Sequence, residues 1–380
     1  MSQTKAQLVS GTTAQDLTVD NINTTSINSG QASGRKNIIR NGAMQVIQRG
    51  TPLSVNANVA RGRTCADGWE ISSDTNGTAV FSSSKSTDTP NGFGSSLKLD
   101  VTTADTSIAA DVGTRFLQRF EGQDLQGFKK GSSDALQFTL SFHVKSPKTG
   151  THCIELLDID NNRSVSATYT VSQADTWQYV TNTFPADTTG AFDNDNGQSF
   201  IVVWWLAAGS NFSSGTLNTT WNTRVEANRA VGQVNVTDNT ANNFYITGCQ
   251  LEVGPTATDF EQRPFGEELA LCQRYYFLFC EGTDKEINVA WYFTGSHISF
   301  FIRYPTTMRA APTLSITTGT NYYILYRNGG NDQFDGFASE FISTEQMSCF
   351  RNSQVSGTGG QAGILRTYNS AAKVEISAEL

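Results

Sequence analysis

Residues 245–276 read YITGCQLEVGPTATDFEQRPFGEELALCQRYY. The first part, to Val253, is a strand pattern. Gly254-Pro255 is a turn, and the next eight residues form a polar connector. Glu267 and Glu268 then sit where the first turn of a helix favours acids, Leu269 and Cys272 share a face at i and i+3, and Arg274 lies near the end. The segment therefore predicts one short helix over about 265–275, joining two β domains as a hinge.

On the amino-terminal side, strand patterns repeat. Phe138, Leu140, Phe142 and Val144 alternate with Gln137, Thr139, Ser141 and His143. Leu97, Leu99 and Val101 alternate with polar residues, as do Val165, Ala167, Tyr169 and Val171. Each is a strand with one buried and one wet face. Turn clusters such as Pro90-Asn91-Gly92 and Asp160-Asn161-Asn162 separate them, as in an antiparallel sandwich or jelly roll. Residues 200–208, FIVVWWLAA, are apolar on both parities. This predicts a strand covered on both faces, by a loop or by a neighbouring subunit. On the carboxyl-terminal side, Ile298, Phe300, Ile302 and Tyr304 alternate in the same way, and Val374, Ile376, Ala378 and Leu380 end the chain on a strand.

The expected fold class is all-β. Its parts are an extended anchoring segment over 1–36, a jelly-roll domain over 37–263, a short helical linker over 264–276, and a β-sandwich over 277–380. Residues 1–34 contain no aromatic residue and no cysteine. Their few apolar side chains, among them Leu17, Val19, Ile22 and Ile27, cannot build a core in one copy. Three copies wound together would pool them along one axis, so these four are the candidate trimer and anchor contacts.

Composition narrows the function. Of 380 residues, 16% are charged and the net charge is −8, with no block of Lys or Arg to track phosphates, so no nucleic-acid partner is expected. No apolar run reaches the roughly 20 residues of a membrane span, so no membrane insertion is expected. The first residues lack the pattern of a signal peptide, and release by lysis fits better than secretion. The six cysteines have no CxxC spacing and read as buried free thiols.

No catalytic pattern emerges, and the chain is expected not to be an enzyme. His143, His152 and His297 are far apart, and there is no GxSxG elbow. Asp158-x-Asp160-x-Asn162 and Asp193-x-Asp195-x-Gly197 place oxygens at alternate positions, as calcium loops do, but both lack the Glu at position 12. They read as turns, so no cofactor is expected and a structural calcium ion is unsupported. Aromatic rings offer another chemistry, because an exposed ring can stack on the C–H face of a sugar. Most tryptophans are core. The candidates for glycan contact are Trp69, Trp177, Trp205 and Trp221, with Trp204 and Trp205 on opposite faces of one strand.

Several phrases carry a resemblance. These are NIIRNGAM (37–44) followed by QRG (48–50), LSFHVKS (140–146), DTWQYVTNTFPADTTG (175–190), LAAGSNF (206–212), GCQLEVG (248–254) and GEELALCQRYY (266–276). In this order they resemble tail fibre and appendage proteins of tailed phages, especially marine phages and cyanophages. The start, TKAQLVSGTTAQDLTVDN (4–21), is similar to their virion-attachment or trimerising segments. YPTTMRAAPTL (304–314) and ISAEL (376–380) resemble their terminal β domain.

The resemblance implies a galactose-binding-like, carbohydrate-binding jelly roll. It also implies a homotrimer, attachment to other virion proteins through residues 1–36, and a place on the particle surface after assembly in host cytoplasm. The implied function is host-surface attachment, with a glycan or envelope receptor as partner. Two other readings stand beside it: a capsid decoration or tail component that binds only virion proteins, and a glycan-degrading tailspike.

Overall fold

The computed structural model describes residues 35–56, 61–74 and 76–380 in full. It also describes the backbone of Ser26–Ile27 and Gly30–Gln31, which pair antiparallel. Leu17, Val19 and Ile22 lie outside the described residues, and Ile27 is described only as backbone in that pair. Among the described residues no helix is long and apolar enough to cross a membrane.

The protein is all-β, and its larger unit is a jelly-roll sandwich of two antiparallel sheets. One sheet has seven strands in the order Asn222–Thr223, Arg163–Val171, Gly150–Asp158, Gln198–Ala208, Gly113–Glu121, Glu70–Ser72 and Gly62–Arg63. The other has six: Gln178–Phe184, Phe138–Lys145, Asn243–Val253, Ser96–Thr103, Val80–Ser86 and Leu53–Asn56. Alternation does the sorting. Phe138, Leu140, Phe142 and Val144 meet Phe200, Val202, Trp204 and Leu206 in one buried cluster between the sheets. Removing each such side chain from water contributes roughly 1.5–3 kcal/mol.

The doubly apolar strand, Gln198–Ala208, has the two covers its sequence requires. Trp204 faces the inter-sheet core. Ile201, Val203 and Trp205 face outward, into a second cluster with Leu117, Cys153, Leu157, Phe212 and Ala230. The lid is residues 209–230 of the same chain, so no neighbouring subunit is needed there. One buried ion pair sits under this lid. Arg229 donates to both Glu155 oxygens at 2.8 and 3.0 Å, and Trp205 Nε1 donates to Glu155 at 3.2 Å.

The smaller unit is a second sandwich. A three-stranded sheet (Tyr276–Glu281, Lys373–Ser377, Thr313–Ile316) faces a seven-stranded one. The latter runs Gly330–Phe334, Tyr323–Arg327, Ala362–Thr367, Glu286–Thr294, His297–Arg303, Gln346–Arg351 and Ala338–Glu340. The last strand ends at Ser377, short of Leu380.

The helix spans Phe265–Gln273. Its surroundings differ from the expected hinge. Glu268 does not merely complement a helix dipole: it is buried and accepts from the Asn41 backbone N–H at 2.5 Å. In the connector, Glu261 accepts from the N–H groups of Lys36 and Asn37 at 2.8 and 2.7 Å. Beyond the helix, Arg274 donates to both oxygens of buried Glu121 at 2.8 and 2.7 Å, and Tyr275 donates to the same carboxylate. The Arg49 guanidinium lies 3.5 Å from the centre of the Tyr276 ring and pairs with Glu379 at 2.9 Å. Arg309 and Asn196 exchange two side-chain-to-carbonyl bonds, at 2.8 and 2.5 Å. The linker is a clamped joint, held by hydrogen bonds and ion pairs on both sides.

All six cysteines are free, and five are buried. Burial pushes the Cys153 and Cys349 thiols up to about 12, which makes them poor nucleophiles.

Candidate functional site: an aromatic strip on the six-stranded sheet

Three of the four candidate tryptophans belong to the interior. Trp69 stacks on Phe116 at 4.8 Å and donates from Nε1 to the Asn41 carbonyl at 3.1 Å. Trp205 lies under the 209–230 lid, and Trp221 packs edge-on against Phe138 while donating to the Pro185 carbonyl at 2.9 Å. Burial removes these three rings from any ligand. Each indole N–H finds an acceptor inside, as a buried Trp requires.

Trp177 has a different setting. It precedes the edge strand Gln178–Phe184 and is only partly buried. Its Nε1 donates to Asp88 at 2.9 Å, and its ring meets Tyr245 edge-on at 6.1 Å. The Lys145 ammonium lies 5.6 Å from the Trp177 ring and 4.4 Å from the Tyr245 ring, and it also pairs with Asp88. Hydrogen bonds from Lys145 and Trp177 hold the Asp88 carboxyl below its ordinary value, so it is a charged acceptor at neutral pH.

The outward positions of the neighbouring strands extend this group. Tyr179, which is 52% exposed, stands opposite His143 across the ladder, with ring centres 4.8 Å apart. His143 lies 5.2 Å from Phe93, and Phe93 lies 5.1 Å from Phe260. Four rings thus run across the solvent face of the sheet, with Trp177 and Tyr245 beside them. Burial lowers the pKa of His143, so the ring is neutral at pH 7, and its Nδ1 is buried with no hydrogen-bond partner among the described residues. The site therefore combines flat apolar rings with an ionised carboxylate and an ammonium.

Gly248 makes the close approach possible. It lies in a register shift between Thr247 and Gln250, at φ +64°. A Cβ there would meet Phe93 Cζ at 2.6 Å and His143 Nδ1 at 3.0 Å. Gly248→Ala is therefore expected to cost about 1–3 kcal/mol, from backbone strain and from displacement of two rings. Urea unfolding checks this, and a loss under 0.5 kcal/mol would show that the strip yields easily.

Sequence reasoning singled out tryptophans and missed Tyr179, Tyr245, Phe93 and His143. Part of the signal was present, since His143 falls on the polar parity of its strand. The convergence of residues 88–98, 143–145, 177–179, 245 and 260 was not visible, because it depends on strand order.

The acidic turns are occupied by protein donors. The Lys130 ammonium is fully buried among Asp158, Asp187 (3.0 Å) and the carbonyls of Thr189 (3.0 Å) and Gly190 (2.7 Å). Asp160 accepts from the Asp193 N–H, and Asp195 from the Gly197 N–H. Among the described residues no group of three or more His, Cys, Asp or Glu could hold a metal ion.

No family model matches the sequence, and no curated protein matches it. Solved structures do show partial similarity. A putative sugar binding protein from Bacteroides thetaiotaomicron is 12% identical, covering 57% of this chain and 100% of its own, with a TM-score of 0.31. The family 11 carbohydrate-binding module from Clostridium thermocellum, solved with a β-1,3-1,4-mixed-linked tetrasaccharide, is 12% identical over 51% of this chain and 91% of its own (TM-score 0.27). The enzymatically active domain of tailspike protein 4 from bacteriophage CBA120 is 15% identical over 49% of this chain (TM-score 0.28). That match spans only 19% of the tailspike chain.

Proposed function

We propose that this protein is a phage fibre or fibre-like appendage subunit, trimeric through its amino-terminal segment, whose jelly roll attaches to a host-surface glycan through the strip centred on Tyr179. The phrases shared with phage appendage proteins support the virion role. The single observation behind sugar recognition is the strip itself: exposed and half-exposed rings edged by Asp88 and Lys145. Sugars need both elements, stacking for their C–H faces and directional partners for their hydroxyls. Each single site is weak, and three copies on one fibre raise the avidity by roughly 10²–10⁴.

Calorimetric titration of the full chain with bacterial surface polysaccharides tests the sugar reading. Tyr179→Ala and Trp177→Ala are each expected to weaken binding about tenfold, equivalent to about 1.4 kcal/mol. Trp205→Phe, under its lid, is expected to leave affinity unchanged. Absence of binding to any polysaccharide, or equal affinity in Tyr179→Ala, would overturn it.

A further inference from the structure

The smaller domain carries a surface of a different kind. On the outer face of its seven-stranded sheet, Val289, Trp291, Phe293, Phe301 and Ile364 take outward positions on three neighbouring strands. A solvated antiparallel sheet face is normally polar. Here Phe293 is 72% exposed. Beside it Phe341 is 83% exposed and is held at φ +46°, a backbone conformation that costs a bulky residue energy. Phe341 edges a groove of about 370 Å³ that also touches Trp291, Phe293 and Phe301.

We infer that this face is a contact between copies of the same chain, in which Phe341 of one copy seats against Trp291 and Phe293 of the next. Three features favour a second copy as the occupant. First, the surface holds both a projecting knob and an apolar groove, so it is complementary to itself. Second, its flanks carry opposite charge. Arg366 lies on the strand Ala362–Thr367 and Glu340 on the edge strand Ala338–Glu340, four strand spacings away, or about 19 Å. Among the described residues neither is in an ion pair, and Arg366 lies over the Tyr326 ring at 5.1 Å. A neighbour sliding in along the sheet would bring Arg366 of one copy to Glu340 of the other. Third, the exposed apolar side chains amount to on the order of 500 Å² per copy, taking about 200 Å² for each whole aromatic. That exceeds the isolated apolar residues normal on a monomer. With a polar rim it approaches the roughly 800 Å² per partner of a stable interface.

This inference shares with the proposed function only the expectation of self-association. It involves none of the residues of the Tyr179 strip, so either can fail alone. The test is photo-crosslinking of the full chain carrying Phe341→p-benzoylphenylalanine, in an equal mixture of unlabelled and ¹⁵N-labelled protein. Mixed light–heavy products attached within residues 286–303 are expected. Glu340→Arg should cut their yield at least fivefold, and Glu340→Arg with Arg366→Glu should restore it. Crosslinks confined to single chains would overturn the proposal, even if the native mass is trimeric. So would interchain products elsewhere, or a yield indifferent to the charge exchange.

Discussion

Lys130→Met is expected to destabilise the larger domain by about 3–5 kcal/mol, the usual cost of removing one partner from a buried ion pair. Met keeps the length of the side chain and its apolar contacts beside Phe192 and Trp221. What it deletes is the ammonium between Asp158 and Asp187. Asp187 retains Arg163, which pairs with it at 2.8 Å. Among the described residues Asp158 keeps only Asn161 as a side-chain donor.

Burial already pushes the Asp158 carboxyl above its ordinary value despite Lys130, and without the ammonium it rises further. A carboxyl whose folded pKa is raised favours the fold below its unfolded pKa and opposes it as pH climbs through the folded value. The gap between wild type and Lys130→Met should therefore be widest near pH 7.5 and shrink towards pH 5. Adding Asp158→Asn should recover most of the loss at pH 7.5. Urea unfolding at the two pH values measures both effects. A gap below 1 kcal/mol that ignores pH would mean water replaces the ammonium at little cost.

The same cluster shows how far the sequence can be read. Asp158, Asp160, Asp193 and Asp195 are recognisable as turn residues from local composition. The residue that answers Asp158, Lys130, follows a short 3₁₀ helix about thirty residues earlier, and no local pattern links the two. Strands were legible for the opposite reason. Period two is a local signal, and it locates Phe138–Lys145 and His297–Arg303 with little dependence on the rest of the fold. The double parity of residues 200–208 correctly required two covers, but which segment supplies the outer one is a tertiary fact.

Tryptophans misled because size alone does not predict exposure. Trp69, Trp205 and Trp221 each combine a large apolar ring with one N–H that a backbone carbonyl or a buried carboxylate satisfies. The interior therefore accepts them fully. The strip at Tyr179 instead uses residues whose outward parity was readable but whose neighbours across the ladder were not. The phrases at 37–50 and 266–276 have a physical basis of the same non-local kind. Asn41 in the first phrase bonds to Glu268 in the last, and Arg49 lies on Tyr276. Both contacts belong to the joint around the helix between the two sandwiches.

That clamp carries the second large expectation: Arg274→Ala should cost about 3–5 kcal/mol at pH 7 and uncouple the two domains. Glu121 is fully buried at the end of its strand, so losing the bidentate guanidinium leaves a carboxylate with, among the described residues, only Tyr275 and Gln123 as side-chain donors. Burial by itself would raise the Glu121 carboxyl. The bonds from Arg274 and Tyr275 outweigh it and hold the group below its ordinary value. A depressed carboxyl contributes stability above its unfolded pKa, roughly 4.3, and that contribution is lost as pH falls through the folded value. Wild type should therefore lose the clamp only below about pH 4, whereas Arg274→Ala lacks it already at neutrality. Calorimetry separates the cases, because two domains coupled through one joint melt together and uncoupled ones melt apart. One transition is expected for wild type at pH 7 and two for Arg274→Ala. Tyr275→Phe, which keeps the ion pair, should lose only about 1 kcal/mol and retain a single transition. A single transition at unchanged temperature in Arg274→Ala would place the coupling elsewhere, in the contacts of Arg49 with Tyr276 and of Arg309 with Asn196.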